Sequence, residues 1–438
     1  MKEFFRKIGA AIKAHKARTI VISVTAFVLV CVIVALCLLN AFLFGRLSKG
    51  YVPTDEQLDA IRNNPENQYK RVVIIGVDGV GDYFSHMDTP NFDTMFNTEV
   101  NAAVTYTGTA VYPTISCENW MSMFHGVRPV YHGFIYKDTN QRVEAGEKTD
   151  SEKYPSFIKQ YLDQYPDGGD VLSVCTWRGV NNGIIEDDER IVKYNTDTDQ
   201  VKQFLAGGTM YSPVTDLACQ SNYKEDEQGK QIVIQNESNS KYTELNAYVE
   251  APIRDDVVPG YPTLREYCLA MQTAFGEEDE TVAMRDALTV QRIIEETTTV
   301  EGQDKYKIVY MHLDQVDHTG HNYGYGKPAY QQAVHRIDDL IGKLYAAYEN
   351  AGMLDDTLFV LCTDHGHRLP GGHKNHGKNT DLEVNITFAI AGKTVKAGML
   401  TSRYVDTDMA AVISYALGVK ASENWQARVP YGMFNLLG

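Results

Sequence analysis

Five short apolar runs recur along the chain, and three of them stop at an aspartate. They read VVIIGVDG at 72–79, DVLSVCTW at 170–177, KIVYMHLD at 307–314, TLFVLCTD at 357–364 and ITFAIAG at 386–392. A continuous β-branched run closed by a turn is the pattern of a strand covered on both faces. Helical patterns lie between the runs. The clearest follows Pro328: Val334, Ile337, Ile341, Leu344 and Tyr348 fall three and four apart, and Gly352 can end the helix. Strands of this kind alternating with amphipathic helices predict an α/β fold with a mainly parallel central sheet flanked by helices.

In such a sheet, ligands bind beyond the carboxyl ends of the strands. The first run ends at Asp78-Gly79, and the third leads into Asp317, His318 and His321. The fourth ends at Asp364-His365-Gly366-His367, with His373 and His376 beyond it. Taken singly, Asp78 is a turn aspartate, Asp317 and His321 a solvated pair at a helix start, and His365 a loop histidine. Together they put imidazole and carboxylate groups on one sheet edge, and zinc accepts both. A metal centre is therefore expected.

Residues 112–126, YPTISCENWMSMFHG, add a hydroxyl. Pro113 and Thr114 suit a turn, and 119–124 read as helix. Ser116 then stands at or near a helix N-terminus, where backbone N–H groups favour an anion. As a plain N-cap it would need no function. Beside metal ions it is a candidate nucleophile. Asn119, on the same helical face, is a candidate donor to a phosphoryl oxygen.

The motifs VDG, PTxSxxN, DxxGH and DHGH, in this order, resemble the alkaline phosphatase superfamily. They are most similar to its type I phosphodiesterase and nucleotide pyrophosphatase branch. TPNFDTM at 89–95, HGVRPVYHGF at 125–134 and GIIED at 183–187 resemble that branch's connecting segments. The resemblance spans roughly residues 70–420. It implies two zinc ions per chain: one held by Asp317, His321 and His376, the other by Asp78, Asp364 and His365 with Ser116 as a further ligand. It gives Ser116 the nucleophile's place and Asn119 that of a phosphate-binding asparagine. His373 is the alternative to His376. Cys117 and Glu118 stand where familiar nucleotide pyrophosphatases have an aromatic residue and a proline. No CxPxR signature of a sulfatase begins at Ser116 or Cys117. The nearest following arginine, Arg128, lies beyond the helix, which disfavours a phosphomonoester specialist.

The implied function is hydrolysis of phosphodiester or pyrophosphate bonds through a phosphoseryl intermediate, on a phosphodiester or nucleotide-like substrate. The alternatives are an envelope phospho-head-group transferase or phosphomonoesterase of the same superfamily, and a non-catalytic metal-containing binding ectodomain.

The chain's start sets its location. Residues 1–18 carry six Lys and Arg against Glu3, and residues 19–44 form an apolar stretch of 26 residues without Asp, Glu, Lys, Arg, Pro or Gly. A bilayer span needs about 20 such residues. Basic residues before a span stay cytoplasmic. A transmembrane signal anchor is expected, with the catalytic domain (71–438) outside the cytoplasm. A cleaved signal peptide is the rival reading, although its apolar core would be only about 7–15 residues. Residues 45–70 read as a juxtamembrane linker with at most a short helix, and 205–265, polar and rich in Asn, Ser and Tyr, as an insertion or cap. The formal net charge of -16 disfavours nucleic-acid binding. Seven cysteines without a tight pattern do not form a disulfide framework.

Overall fold

In the computed structural model, the described residues are 50–196 except 136, 282–367 and 374–437, with strand segments between 212 and 233 and residues 3, 6, 28–30, 32 and 34. The chain divides into two units, Met1–Lys49 and Gly50–Gly438. In the first unit Val28, Leu29, Val30, Val32 and Val34 are helical and exposed. The rest of the 19–44 stretch lies outside the described residues, among which no helix is long and apolar enough to cross a membrane.

The second unit is built on β1 (Arg71–Val77), β2 (Ala102–Thr109), β3 (Asp170–Cys175), β4 (Ile191–Asn195), β5 (Ser212–Thr215), β6 (Ala218–Cys219), β7 (Tyr223–Glu225), β8 (Gln231–Val233), β9 (Tyr306–Leu313), β10 (Thr357–Thr363), β11 (Asn385–Ala391) and β12 (Gly398–Met399). One sheet has the order β12-β2-β11-β10-β1-β9-β3-β4-β5-β6; β7 and β8 form a separate hairpin. The central five strands, β10-β1-β9-β3-β4, are parallel. β11 runs against both its neighbours.

The runs that identified the strands also explain the layering. Side chains alternate across a strand. In β1, Val72 and Ile74 enter one apolar core while Val73, Ile75 and Val77 enter the other. β9 and β10 divide in the same way, with Ile308, Tyr310, Leu358 and Val360 on the first side and Val309, Met311, Phe359 and Leu361 on the second. Helices Ser116–His125, Phe157–Gln164 and Asp408–Ala416 supply the first core; Val282–Thr297 and Pro328–Asn350 supply the second. The architecture is a mixed α/β sandwich. The helix expected after Pro328 runs to Asn350, and Gly352 follows with φ of 67°.

From Gly50 onward, the segment read as linker packs on this body. Thr54 caps the helix Asp55–Arg62 with a reciprocal capping box, and that helix buries Leu58 and Ile61 in the first core. Most of the 205–265 segment lies outside the described residues. Cys117, Cys175 and Cys362 are buried and free, so none of these three forms a disulfide.

Candidate active site

Register brings the acidic residues together. Val77 of β1 pairs laterally with Thr363 of β10 and with Leu313 of β9, so the three strands end level. Asp78 and Asp364, one residue beyond those ends, are side by side. The Gly79 N–H, just past β1, donates to Asp364 Oδ1 at 3.0 Å. Asp317 comes from the first turn of the helix Gln315–Tyr323 that follows β9, and His321 stands one turn on. His376 enters from the loop between β10 and β11. His373 lies outside the described residues.

The resulting cluster is tight. His321 Nε2 is 3.2 Å from Asp317 Oδ2 and 3.1 Å from His376 Nε2. His376 Nε2 is 3.7 Å from Asp317 Oδ1. The His365 and His376 rings stack at 3.7 Å. His365 Nε2 is 3.3 Å from Asp364 Oδ2 and 3.5 Å from Asp78 Oδ1. Ser116, the first residue of its helix, puts Oγ 3.2 Å from His365 Nε2 and 3.4 Å from Asp78 Oδ1. Among the described residues, two groups bring ligand atoms within 4.8 Å of one another: Asp317, His321 and His376, and Asp78, Asp317 and His365. Asp317 thus faces both, whereas the family resemblance assigned it to one. Asp364, placed in the second group by the family resemblance, is not one of its three members; its Oδ2 lies 3.3 Å from His365 Nε2 at the edge of that group.

The donor set fits divalent cations. All three imidazoles place Nδ1 on a backbone carbonyl: His321 on Lys374 at 2.7 Å, His365 on Gly366 at 3.0 Å and His376 on Thr114 at 2.6 Å. With Nδ1 carrying the proton, Nε2 of His365 and His376 presents a lone pair inward, the form in which histidine binds a metal, and His321 reaches that form when a cation displaces its second proton. Asp364 Oδ2 is buried without a hydrogen-bond partner. Burial, together with the neighbouring Asp364 and Asp317 charges, pushes the Asp78 carboxyl well above its ordinary range. Burial and Asp317 do the same to Asp364. Burial would raise Asp317 as well, but the facing His321 and His376 outweigh it and hold that carboxyl low. Burial opposes charge on His321, yet Asp317 lifts it to about 9. Cations would relieve this accumulation of buried acceptors.

Asn119 is fully buried one turn from Ser116, and its Nδ2 donates to the carbonyls of Pro113 at 3.1 Å and Ile115 at 2.9 Å. Both amide hydrogens therefore brace the turn before the helix, and Oδ1 is left without a partner. A donor role toward substrate requires that amide to rotate. The Cys117 N–H at the helix start is taken by Asn140 Oδ1 at 3.1 Å.

Several neighbours were not foreseen. Tyr325 OH donates to Asp317 Oδ1 and stacks on His367, the second histidine of the DHGH motif. Thr114 Oγ1 donates to the Lys378 carbonyl and accepts from Gly377 N–H, tying the His376 loop to the Ser116 turn. Trp120 Nε1 and His312 Nε2 contact Asp78 Oδ2 at 3.0 and 3.2 Å. Burial pushes His312 down to about 3, so it is neutral. A histidine inside the otherwise apolar KIVYMHLD run was a usable signal; Tyr325 left none.

A sequence model of the type I phosphodiesterase / nucleotide pyrophosphatase family matches residues 72–375. Among curated proteins, GPI ethanolamine phosphate transferase 2 of Aspergillus oryzae is 38% identical over 71 residues, 16% of this chain and 8% of that protein. The human GPI ethanolamine phosphate transferase 3 catalytic subunit is 30% identical over 112 residues, 25% of this chain and 10% of that protein. These matches cover about a tenth of the relatives' length. Among solved structures, the alkaline phosphatase PafA superposes with a TM-score of 0.53 at 12% identity, covering 84% of this chain and 99% of that one. At this identity the likeness is one of fold, and it places the sandwich among alkaline-phosphatase-like folds.

Proposed function

Because the chain belongs to the type I phosphodiesterase / nucleotide pyrophosphatase family, whose members act on phosphoric esters, we propose that it cleaves phosphodiester or pyrophosphate bonds with Ser116 as nucleophile. The observation that carries this reading is the position of Ser116 Oγ at a helix start, 3.2 Å from His365 Nε2 and 3.4 Å from Asp78 Oδ1.

Asp317, His321 and His376 would hold one zinc ion, and Asp78, Asp364, His365 and Ser116 the other. Bound there, the ions would neutralise phosphoryl oxygens and lower the serine pKa. Ser116 Oγ, its proton lost to water, attacks phosphorus, and the bond to the leaving oxygen breaks. A covalent serine–phosphoryl ester remains, still bearing the second organic group of a diester. Water then attacks that phosphorus and frees Ser116. Ser116, Asp78, Asp317, Asp364 and His365 are all buried, which limits bulk water around the reacting bond.

The anchor reading completes the proposal: residues 19–44 cross the membrane and residues 50–438 face outward. The curated relatives favour a second reading. Their names describe phosphate transferases, and transfer needs only that a hydroxyl-bearing acceptor replace water in the second step.

A substrate panel tests the choice. The zinc-supplemented protein is given bis-p-nitrophenyl phosphate, p-nitrophenyl phosphate, a nucleotide p-nitrophenyl ester and a sulfate ester, with and without an alcohol acceptor. Diester cleavage unaffected by acceptor supports hydrolysis, and acceptor-dependent release supports transfer. Preference for the monoester or the sulfate contradicts the proposal.

A further inference from the structure

Asp78 is oriented by two residues that no motif marks. Its Oδ1 faces Ser116 and His365, while its Oδ2 faces away from them, toward Trp120 and His312. The indole Nε1–H can only donate. His312 Nε2 points at a carboxylate oxygen, so that nitrogen carries the proton. Oδ2 therefore accepts two N–H bonds, and its lone pairs are occupied.

This arrangement is built into the sheet. His312 pairs laterally with Gly76, two residues before Asp78. A Cβ at Gly76 would come 2.8 Å from the Trp120 ring and 2.8 Å from Tyr310 OH. Only glycine lets the indole pass over β1 and reach the carboxylate. The Trp120 and His312 rings meet edge to face at 5.0 Å, and both residues are fully buried. His312 Nδ1 is a buried acceptor without a hydrogen-bond partner, so the ring makes its one bond to Asp78. Two buried aromatic donors converging on one oxygen exceed what packing alone requires.

We propose that Trp120 and His312 are positioning residues that pin Asp78 Oδ2, so that Asp78 binds its cation through Oδ1 alone. Indole and imidazole N–H groups suit the task. A lysine or arginine there would neutralise the carboxylate and compete with the cation, whereas N–H dipoles fix its direction and leave its charge. The inference rests on the two-metal reading and adds what orients one of its ligands.

Zinc affinity of the purified full-length chain tests it, by competition with a chromophoric chelator, with the visible spectrum of the cobalt-substituted protein as a second readout. Trp120→Phe and His312→Leu each remove one donor while keeping an apolar side chain. Each is expected to weaken one of two zinc ions by about 10–100-fold, to shift the cobalt spectrum, and to leave the other ion at wild-type affinity. His312→Gln, which can return an amide N–H to the Nε2 position, is expected to recover part of the loss. If both donor-removing variants bind two ions with wild-type affinity and spectrum, whatever their thermal stability, the positioning role is overturned. If wild-type protein binds no divalent ion, the metal reading fails and this inference with it.

Discussion

Gly79 gives the sharpest structural test of the site's geometry. It follows Asp78 with φ of 69°, in the left-handed region. A Cβ there would lie 2.6 Å from both Cβ and Oδ1 of Asp317 and 2.7 Å from its Cα. The turn cannot easily retreat, because Gly79 N–H is bonded to Asp364 at 3.0 Å and its carbonyl accepts from Tyr330 OH at 3.0 Å. Gly79→Ala therefore carries two costs: about 1–2 kcal/mol for a left-handed alanine, and about 1–3 kcal/mol for overpacking against Asp317. Gly133→Ala isolates the first, since Gly133 has φ of 85° and no atom within 4 Å of an added Cβ. Urea unfolding should show Gly79→Ala less stable than Gly133→Ala by about 1–3 kcal/mol. Its turnover should fall on the order of 10²-fold, as expected when a reacting group moves by about 1 Å. Equal losses of stability in the two variants, with turnover intact in Gly79→Ala, would refute the close approach of this turn to Asp317.

Ser116→Ala should lower turnover on the order of 10³-fold or more with metal content nearly unchanged, and Ser116→Thr should keep part of it; normal turnover in Ser116→Ala removes the serine from the mechanism. Thr114→Ala should act differently, weakening the metal held by His376, because Thr114 ties that loop down; unchanged zinc affinity contradicts this. Burial lifts Asp406 to about 8 and Asp408 to about 7. Their folded values lie above the ordinary 3.8, so the native state holds extra protons, and stability should fall as pH rises from about 4 through 8. Unfolding midpoints of chelated protein at pH 5 and pH 8.5 check the sign, and Asp406→Asn should flatten the profile. A reporter fused after Gly438 should be active only outside the cytoplasm, given the six basic residues before the apolar stretch; cytoplasmic activity reverses the orientation.

The strands and the acidic ends were legible because fully buried parallel strands are continuous in sequence and their termini carry the chemistry. The strand ends alone put Asp78, Asp317, His321, Asp364 and His365 on one sheet edge, whereas the choice of His376 over His373 rested on the family resemblance. What stayed hidden depends on register and on loops. Asp317 facing both metal groups comes from the level ending of β1, β9 and β10, which no single run encodes. The Asn119 amide bracing the turn is a rotamer outcome, and spacing alone pointed it at substrate. A short helix between 45 and 70 was allowed for, but its packing on the body was not legible, because only Leu58 and Ile61 on one side of Asp55–Arg62 are buried.

The count of zinc ions in the purified protein, measured alongside turnover as they are removed and restored, tests the central claim most directly. Two ions per chain, with activity lost on chelation and regained on adding zinc, is the predicted result; full turnover from a metal-free preparation would contradict it.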